Sequence, residues 1–178
     1  MQRLSDIALI AQVVTLGSER AFGQLVQAHQ EAVRRFLRRL TAGDEMRADD
    51  LAQETFIRAW QGLSSFRQLS AFETWLLRIA YRVFLDDERT NRALPESDSQ
   101  QPLSSEGEGN WALHHDLDLA LATLTEKERT CVILQCVEGQ SIKDIATIMS
   151  MPENTVKSHL LRGKKNLANY LRQNGYNG

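Results

Sequence analysis

Ser141 to Lys165 reads SIKDIATIMSMPENTVKSHLLRGKK, and its hydrophobic spacing is helical throughout. Ser141-Ile142-Lys143-Asp144 has the form of an N-cap, opening a short helix through Met149. Pro152, suited to a first helical turn, opens a long second helix to about Arg172. Val156, Leu160, Leu167 and Leu171, with small Gly163, mark the buried side of that helix. Asn154, Thr155, Lys157, Ser158, His159, Arg162, Lys164 and Lys165 stay outside. Two helices joined by Ser150-Met151, the second one basic, form a helix-turn-helix pattern. A basic surface helix alone would be unremarkable; behind that turn it favours duplex nucleic acid. Asn and Arg at the early turns can reach base edges, while Lys and Ser hold phosphates.

Working outward, Thr125-Glu126-Lys127-Glu128 is a capping box that starts a helix through about Val137, and another helix lies near Trp111 to Ala122. The first half is equally helical. Phe72, Trp75, Leu76, Ile79, Ala80, Val83 and Phe84 recur at i, i+3, i+4, i+7 over Phe72 to Arg89. Ala21 to Leu40 repeats the pattern and sets Arg34, Arg35, Arg38 and Arg39 largely outside. A third helix, about Ala48 to Gln61, carries Leu51, Ala52, Phe56, Ile57 and Trp60 on its apolar side. Between the halves, Thr90 to Asn110 holds Pro95, Pro102, four Ser and two Gly without any Ile, Val or Phe. Such a stretch cannot offset its ordering entropy and reads as a flexible acidic linker. The expected organisation is all-α: a domain at 1–89, a linker at 90–111 and a second domain at 112–178.

The 178 residues carry 21 basic and 23 acidic side chains, a net charge of −2, so the molecule is no histone-like polycation. The charge is unevenly placed. Asp86 to Asp118 holds two basic residues against nine acidic ones, whereas Glu153 to Gly178 holds five against one. A basic end and an acidic middle suit a chain that meets a polyanion with its folded parts, although solvated helix faces would give the same count. No apolar run approaches the ~20 residues of a membrane span, and Asp6 interrupts any leader-like start, so the expected location is cytoplasmic.

Catalytic and cofactor signatures are absent: there is no phosphate-binding loop, dinucleotide fingerprint, nucleophile elbow or zinc-protease motif. Cys131 and Cys136 sit about 140° apart on a helix and cannot share a metal, so they read as small buried hydrophobes. His114-His115 diverge as adjacent helix residues, and His29 has no partner in the pattern. The reading is a binding protein, with no catalytic residue, metal or cofactor.

Two segments of the first half carry binding chemistry. Asp49, Asp50, Gln53 and Glu54 form an acidic patch in which Asp50, Gln53 and Glu54 share one helix face. The macrodipole accounts for Asp49 and Asp50 at a helix start; it accounts less well for Gln53-Glu54, leaving a docking face for a basic surface open. The loop Ser64, Ser65, Phe66, Arg67, Gln68, with Arg78, Tyr81 and Arg82 on the outer face of the next helix, combines small polar groups, arginines and aromatics. That mixture suits single-stranded nucleic acid; a loop with an exposed arginine is the usual alternative.

These segments, in this order, resemble the bacterial extracytoplasmic-function (group IV) sigma factors, the small two-domain kind. Asp49-Asp50-Leu51-x-Gln53-Glu54-x-Phe56 and Phe66-Arg67-x-x-Ser70-x-Phe72-x-Thr74-Trp75-Leu76-x-Arg78-Ile79-Ala80 are similar to sigma domain two. Leu124 to Arg129, Ile145-Ala146 and Thr155-Val156-Lys157-Ser158-x-Leu160-x-Arg162-x-Lys164 are similar to sigma domain four. The resemblance implies a factor that binds core RNA polymerase and directs promoter-specific initiation. It implies that Asp49, Asp50, Gln53 and Glu54 dock on the clamp helices of the largest subunit. Ser64 to Gln68 with Arg78, Tyr81 and Arg82 would open the −10 element and capture a flipped base, and Asn154 to Lys165 would read the −35 element. The linker would thread toward the RNA exit path, and an anti-sigma protein, often held at the inner membrane, would be a further partner. The chain departs from the family's habit at Arg82, Asn154 and His159, where relatives often have Asn, Gly and Arg. Because of Asn154 and His159 the −35 sequence does not transfer, and Asp86-Asp87-Glu88 stand where relatives tend to be basic, so that helix end would contribute little DNA affinity. The rival readings are an autonomous helix-turn-helix regulator with a dimerisation or sensor module, and an enzyme or metal sensor using the His and Cys residues.

Overall fold

A computed structural model describes residues 2–93 and 111–175. Among these residues there are eight α-helices and no strand: α1 (Gln2–Leu16), α2 (Glu19–Leu40), α3 (Glu45–Gly62), α4 (Phe72–Ala93), α5 (Trp111–Ala122), α6 (Glu126–Cys136), α7 (Ile142–Met149) and α8 (Glu153–Gln173). A single 3-10 turn, Leu63–Ser65, follows α3. The chain is all-α, as its periodicity required. Packing divides it into two units, one holding α1, α3, α4 and α2 up to Leu37, the other holding the α2–α3 turn and α5 to α8. Residues 94–110, most of the expected linker, lie outside the described residues, as do the side chains of His114 and His115.

In the first unit Leu25, Val33 and Phe36 of α2, Leu51, Ala52 and Ala59 of α3, and Leu76, Leu77, Ala80 and Val83 of α4 form the core. Helix α1 was not legible in the periodicity. It packs on the 3-10 turn and buries Ile10 and Val13. It also buries Asp6, whose Oδ2 lies 3.2 Å from His29 Nε2. A buried imidazole requires a partner, and α1 supplies the one that the pattern around His29 lacked.

In the second unit α6 and α7 both pack on α8. The expected capping box is formed at the start of α6: Thr125 N–H donates to Glu128 Oε2 at 3.3 Å and Glu128 N–H to Thr125 Oγ1 at 3.4 Å. Ser141 caps α7 by accepting from Asp144 N–H at 3.1 Å. Helix α7 ends at Ser150 in the left-handed region (φ 53°), which turns the chain into α8. Pro152 stands at the N-cap of α8, one position before the helical turn expected for it.

Two expectations about burial need correction. On α4 the buried face comprises Phe72, Leu76, Leu77, Ala80, Tyr81, Val83 and Phe84, with Trp75 and Ile79 only half-buried. The apolar arc is wider than the i, i+3, i+4 template and takes in Leu77 and Tyr81. On α3, Ile57 and Trp60 remain 47% and 39% exposed, so the apolar side of that helix is not wholly core.

Candidate functional site

At the start of α3, Asp49 Oδ1 pairs with Arg34 Nε of α2 at 2.9 Å, while Asp50 and Gln53 are exposed. Together with Val26, Ala52 and Phe56 they line a surface groove of about 300 Å³. Glu54, half-buried, accepts from Arg58 Nε at 2.7 Å, and Arg58 also reaches Asp86 of α4 at 2.7 Å. Asp50, Gln53, Ile57 and Trp60 recur at i, i+3, i+7, i+10, so charged and apolar groups form one exposed stripe along α3. Trp60 is braced by Phe22, ring centroids 4.9 Å apart. The apolar end of this stripe was missed because Ile and Trp at helical spacing look like core.

The loop after α3 presents Ser64, Ser65, Arg67 and Gln68 to solvent, with Gln68 in the left-handed region (φ 55°). Phe66 is held edge-on by Phe72 (5.7 Å) and tilted against Trp75 (5.3 Å), which fixes one wall of the loop. A depression of about 180 Å³ opens between this loop and Ile7 and Ile10 of α1. On α4, Arg82 is exposed and Arg78 half-buried with no hydrogen bond to its buried Nε. Burial, and secondarily the charge of Arg82, pulls the Arg78 guanidinium below its ordinary pKa. Tyr81 departs from the expected set: at 4% exposure it belongs to the core and not to the outer face. The acids that follow are occupied within the unit. Arg47 Nε donates to Asp87 Oδ2 at 2.7 Å, Arg47 also pairs with Glu88, and Arg58 takes Asp86, so these carboxylates fasten α4 to α3.

On α8, Asn154, Thr155, Lys157, Ser158, Arg162, Lys164 and Lys165 are exposed, and His159 is half-buried. Val156, Leu160 and Gly163 are buried as expected, whereas Leu167 and Leu171 are only half-buried. Gly163 permits close packing: a Cβ there would lie 2.9 Å from Val132 Cγ2 and 3.3 Å from the Glu128 carbonyl oxygen. Arg162 Nε lies 3.3 Å from Glu128 Oε1, and its Nη2 lies 3.1 Å from His159 Nδ1. Burial first, then the charges of Arg162 and Lys127, lower the His159 pKa against the opposing pull of Glu128.

Among the described residues no group of His, Cys, Asp and Glu could hold a metal ion. Cys131 is buried with its thiol 3.4 Å from Met149 Sδ, and burial, with the charge of Glu128 adding, pushes it up to about 11. Cys136 is exposed, contrary to the expectation that both cysteines are buried.

Sigma-70 region 2 matches residues 25–93, and Sigma-70, region 4 matches residues 114–167. The ECF RNA polymerase sigma factor SigM of Mycobacterium tuberculosis is 33% identical over 170 residues, 94% of this chain and 85% of that protein. This chain belongs to the ECF RNA polymerase sigma factors. The ECF factor SigE of Mycolicibacterium smegmatis is 34% identical over 162 residues, 85% of this chain but 62% of that longer relative. The sigma factor RpoE of Bartonella quintana, solved in complex with the anti-sigma factor NepR, aligns with a TM-score of 0.70 at 27% identity, covering 85% of this chain and 96% of that one. As an ECF sigma factor the protein recognises promoters in transcription initiation. The region 2 match spans the α3 groove and the loop before α4, the part of the chain to which the rival reading assigned a dimerisation or sensor module. Helix α1 precedes both matches. Among the described residues no helix is long and apolar enough to cross a membrane.

Proposed function

We propose that this group IV factor docks on core RNA polymerase through the exposed stripe of α3, with Asp49, Asp50, Gln53 and Glu54 meeting basic residues of the clamp helices. The observation that carries this reading is the stripe itself. Carboxylates beside a groove raise the encounter rate, and Ile57 and Trp60, left in water by the fold, supply apolar area for a lasting contact. Ser64, Ser65, Arg67, Gln68, Arg78 and Arg82 meet the melted −10 strand, and the face from Asn154 to Lys165 meets the −35 duplex. Phe66 serves as the wall of the −10 loop, and Tyr81 supports the α4 face from beneath. The protein works by binding, with no catalysis of its own, in the cytoplasm. Residues 1–89 and 112–178 are its two working domains, and residues 90–111 the connection between them, of which 90–93 continue α4 and Trp111 opens α5. An anti-sigma protein is its negative partner, by analogy with the Bartonella quintana complex.

The test is co-elution with sigma-free core polymerase. Asp50→Ala combined with Glu54→Ala is expected to weaken polymerase binding tenfold or more, on the order of the 2–5 kcal/mol that truncating interface charge pairs costs, while the helical circular dichroism is retained. Unchanged affinity in a folded double variant would move the docking surface elsewhere.

A further inference from the structure

Arg162 is one of the residues proposed to read the −35 duplex, and it is held from behind. Its Nε lies 3.3 Å from Glu128 Oε1 as an ion pair, and one Nη2–H reaches His159 Nδ1 at 3.1 Å. Glu128 belongs to α6, outside the DNA-facing set, and its side chain is only 8% exposed. Its other oxygen, Oε2, accepts the Thr125 backbone N–H in the capping box, so the carboxylate cannot swing freely. Next to it Gly163 brings the α8 backbone so close to Glu128 that a Cβ would meet Glu128 Cβ at 3.3 Å, which fixes the distance the pair must span.

A guanidinium carries five N–H donors in a rigid fork. With one spent on His159, four remain, including both on Nη1, which is the set a bidentate contact to a base edge or phosphate uses, while the Glu128 carboxylate holds the guanidinium by charge. A free arginine side chain would lose rotamer entropy on meeting DNA; one already tethered loses less. The tether has an electrostatic cost. A carboxylate 3.3 Å behind Arg162 offsets the charge that would attract a phosphate. Such an arrangement serves orientation and opposes bulk attraction.

We infer that Glu128 is a positioning residue for −35 reading, acting through Arg162; this rests on the assignment of Arg162 to the −35 face. The helix cap and the arginine tether can be separated by substitution. Glu128→Gln keeps an N3 side-chain oxygen for the capping box and removes the charge that orients Arg162. Thr125→Ala removes the hydroxyl half of the cap and leaves both the Thr125 N–H on Glu128 Oε2 and the tether.

The experiment selects promoter duplexes with a randomised −35 region, using holoenzyme assembled from core polymerase and each full-length variant, and reads enrichment at every position. Glu128→Gln is expected to flatten, by about fivefold, the same positions that Arg162→Ala flattens, consistent with loss of one close ion pair at the surface. Thr125→Ala is expected to lower the melting temperature without altering the preferences. Preferences unchanged in Glu128→Gln, or an affinity raised uniformly across all sequences, would overturn the proposal and leave Glu128 a cap with a counter-charge. Flattening by Thr125→Ala equal to that by Glu128→Gln would also overturn it, in favour of a purely structural role. If Arg162→Ala itself leaves the preferences intact, the failure lies in the assignment of Arg162 and the proposal falls with it.

Discussion

A single hydrogen atom at position 163 sets how near α8 lies to α6. Alanine there would gain about 1 kcal/mol of helix propensity, but its methyl would sit 2.9 Å from Val132 Cγ2 in a packed core, and overpacking of that kind costs about 1–3 kcal/mol. Gly163→Ala is therefore expected to lower stability by about 1 kcal/mol, read as a depressed melting temperature; a melting temperature equal to or above that of the parent would mean that Val132 yields. The two cysteines differ by environment in the same way. Cys131 is buried with its thiol at about 11, so at neutral pH it is protonated as well as inaccessible, while Cys136 faces water. An alkylating reagent applied to the folded protein at pH 7.5 is expected to modify Cys136 alone, by intact mass. Rapid double modification would show that the α6 core opens readily.

At the scale of elements, the second half was legible almost residue by residue because its boundaries are chemical. Thr125 with Glu128, Ser141 with Asp144, and the turn at Ser150 each satisfy backbone groups locally, and local satisfaction is visible in sequence. The first half was less legible where tertiary packing decides. Helix α1 has apolar residues around most of its circumference and no cap signal, so only its docking on the 3-10 turn selects a face. Tyr81 falls inside the core because Leu77 widens the buried arc of α4, which no template of spacing foresees. The acids after Leu85 looked like a break with the DNA-binding face until Arg47 and Arg58 of α3 were seen to occupy them. The candidate site followed the same division: exposed polar residues could be read from the pattern, but the apolar end of the α3 stripe could not. Trp60 is the sharpest case, 39% exposed and braced by Phe22. Trp60→Ala is expected to raise the dissociation rate from core polymerase about tenfold with little change in association, as loss of an aromatic anchor does; surface-plasmon traces in which only association slows would assign Trp60 no part in the contact.

Across the whole chain the net charge of −2 means that no long-range field draws it to DNA. Affinity for nucleic acid must come from local sets of cations, and the set on α8 is small. Lys164 and Lys165 are exposed, without the partner that Arg162 has in Glu128. If each neutralises one phosphate, Lys164→Ala with Lys165→Ala should reduce the slope of log affinity against log salt by about 2 for duplex binding by the holoenzyme, and leave −35 preferences as they are. A changed preference with an unchanged slope would reverse the division of labour between the lysines and Arg162. A factor so weakly attracted is expected to rely on polymerase to raise its local concentration at DNA.

The Asp6–His29 clasp has a practical consequence for anyone who shortens this protein. The sigma region 2 match begins at residue 25, and a cut made there looks tidy on paper. It would strand an imidazole among Phe72 and its neighbours with nothing to accept or donate, and would strip the cover from one side of the loop after α3. A first half that keeps its buried histidine partnered is longer than the piece by which the family is recognised.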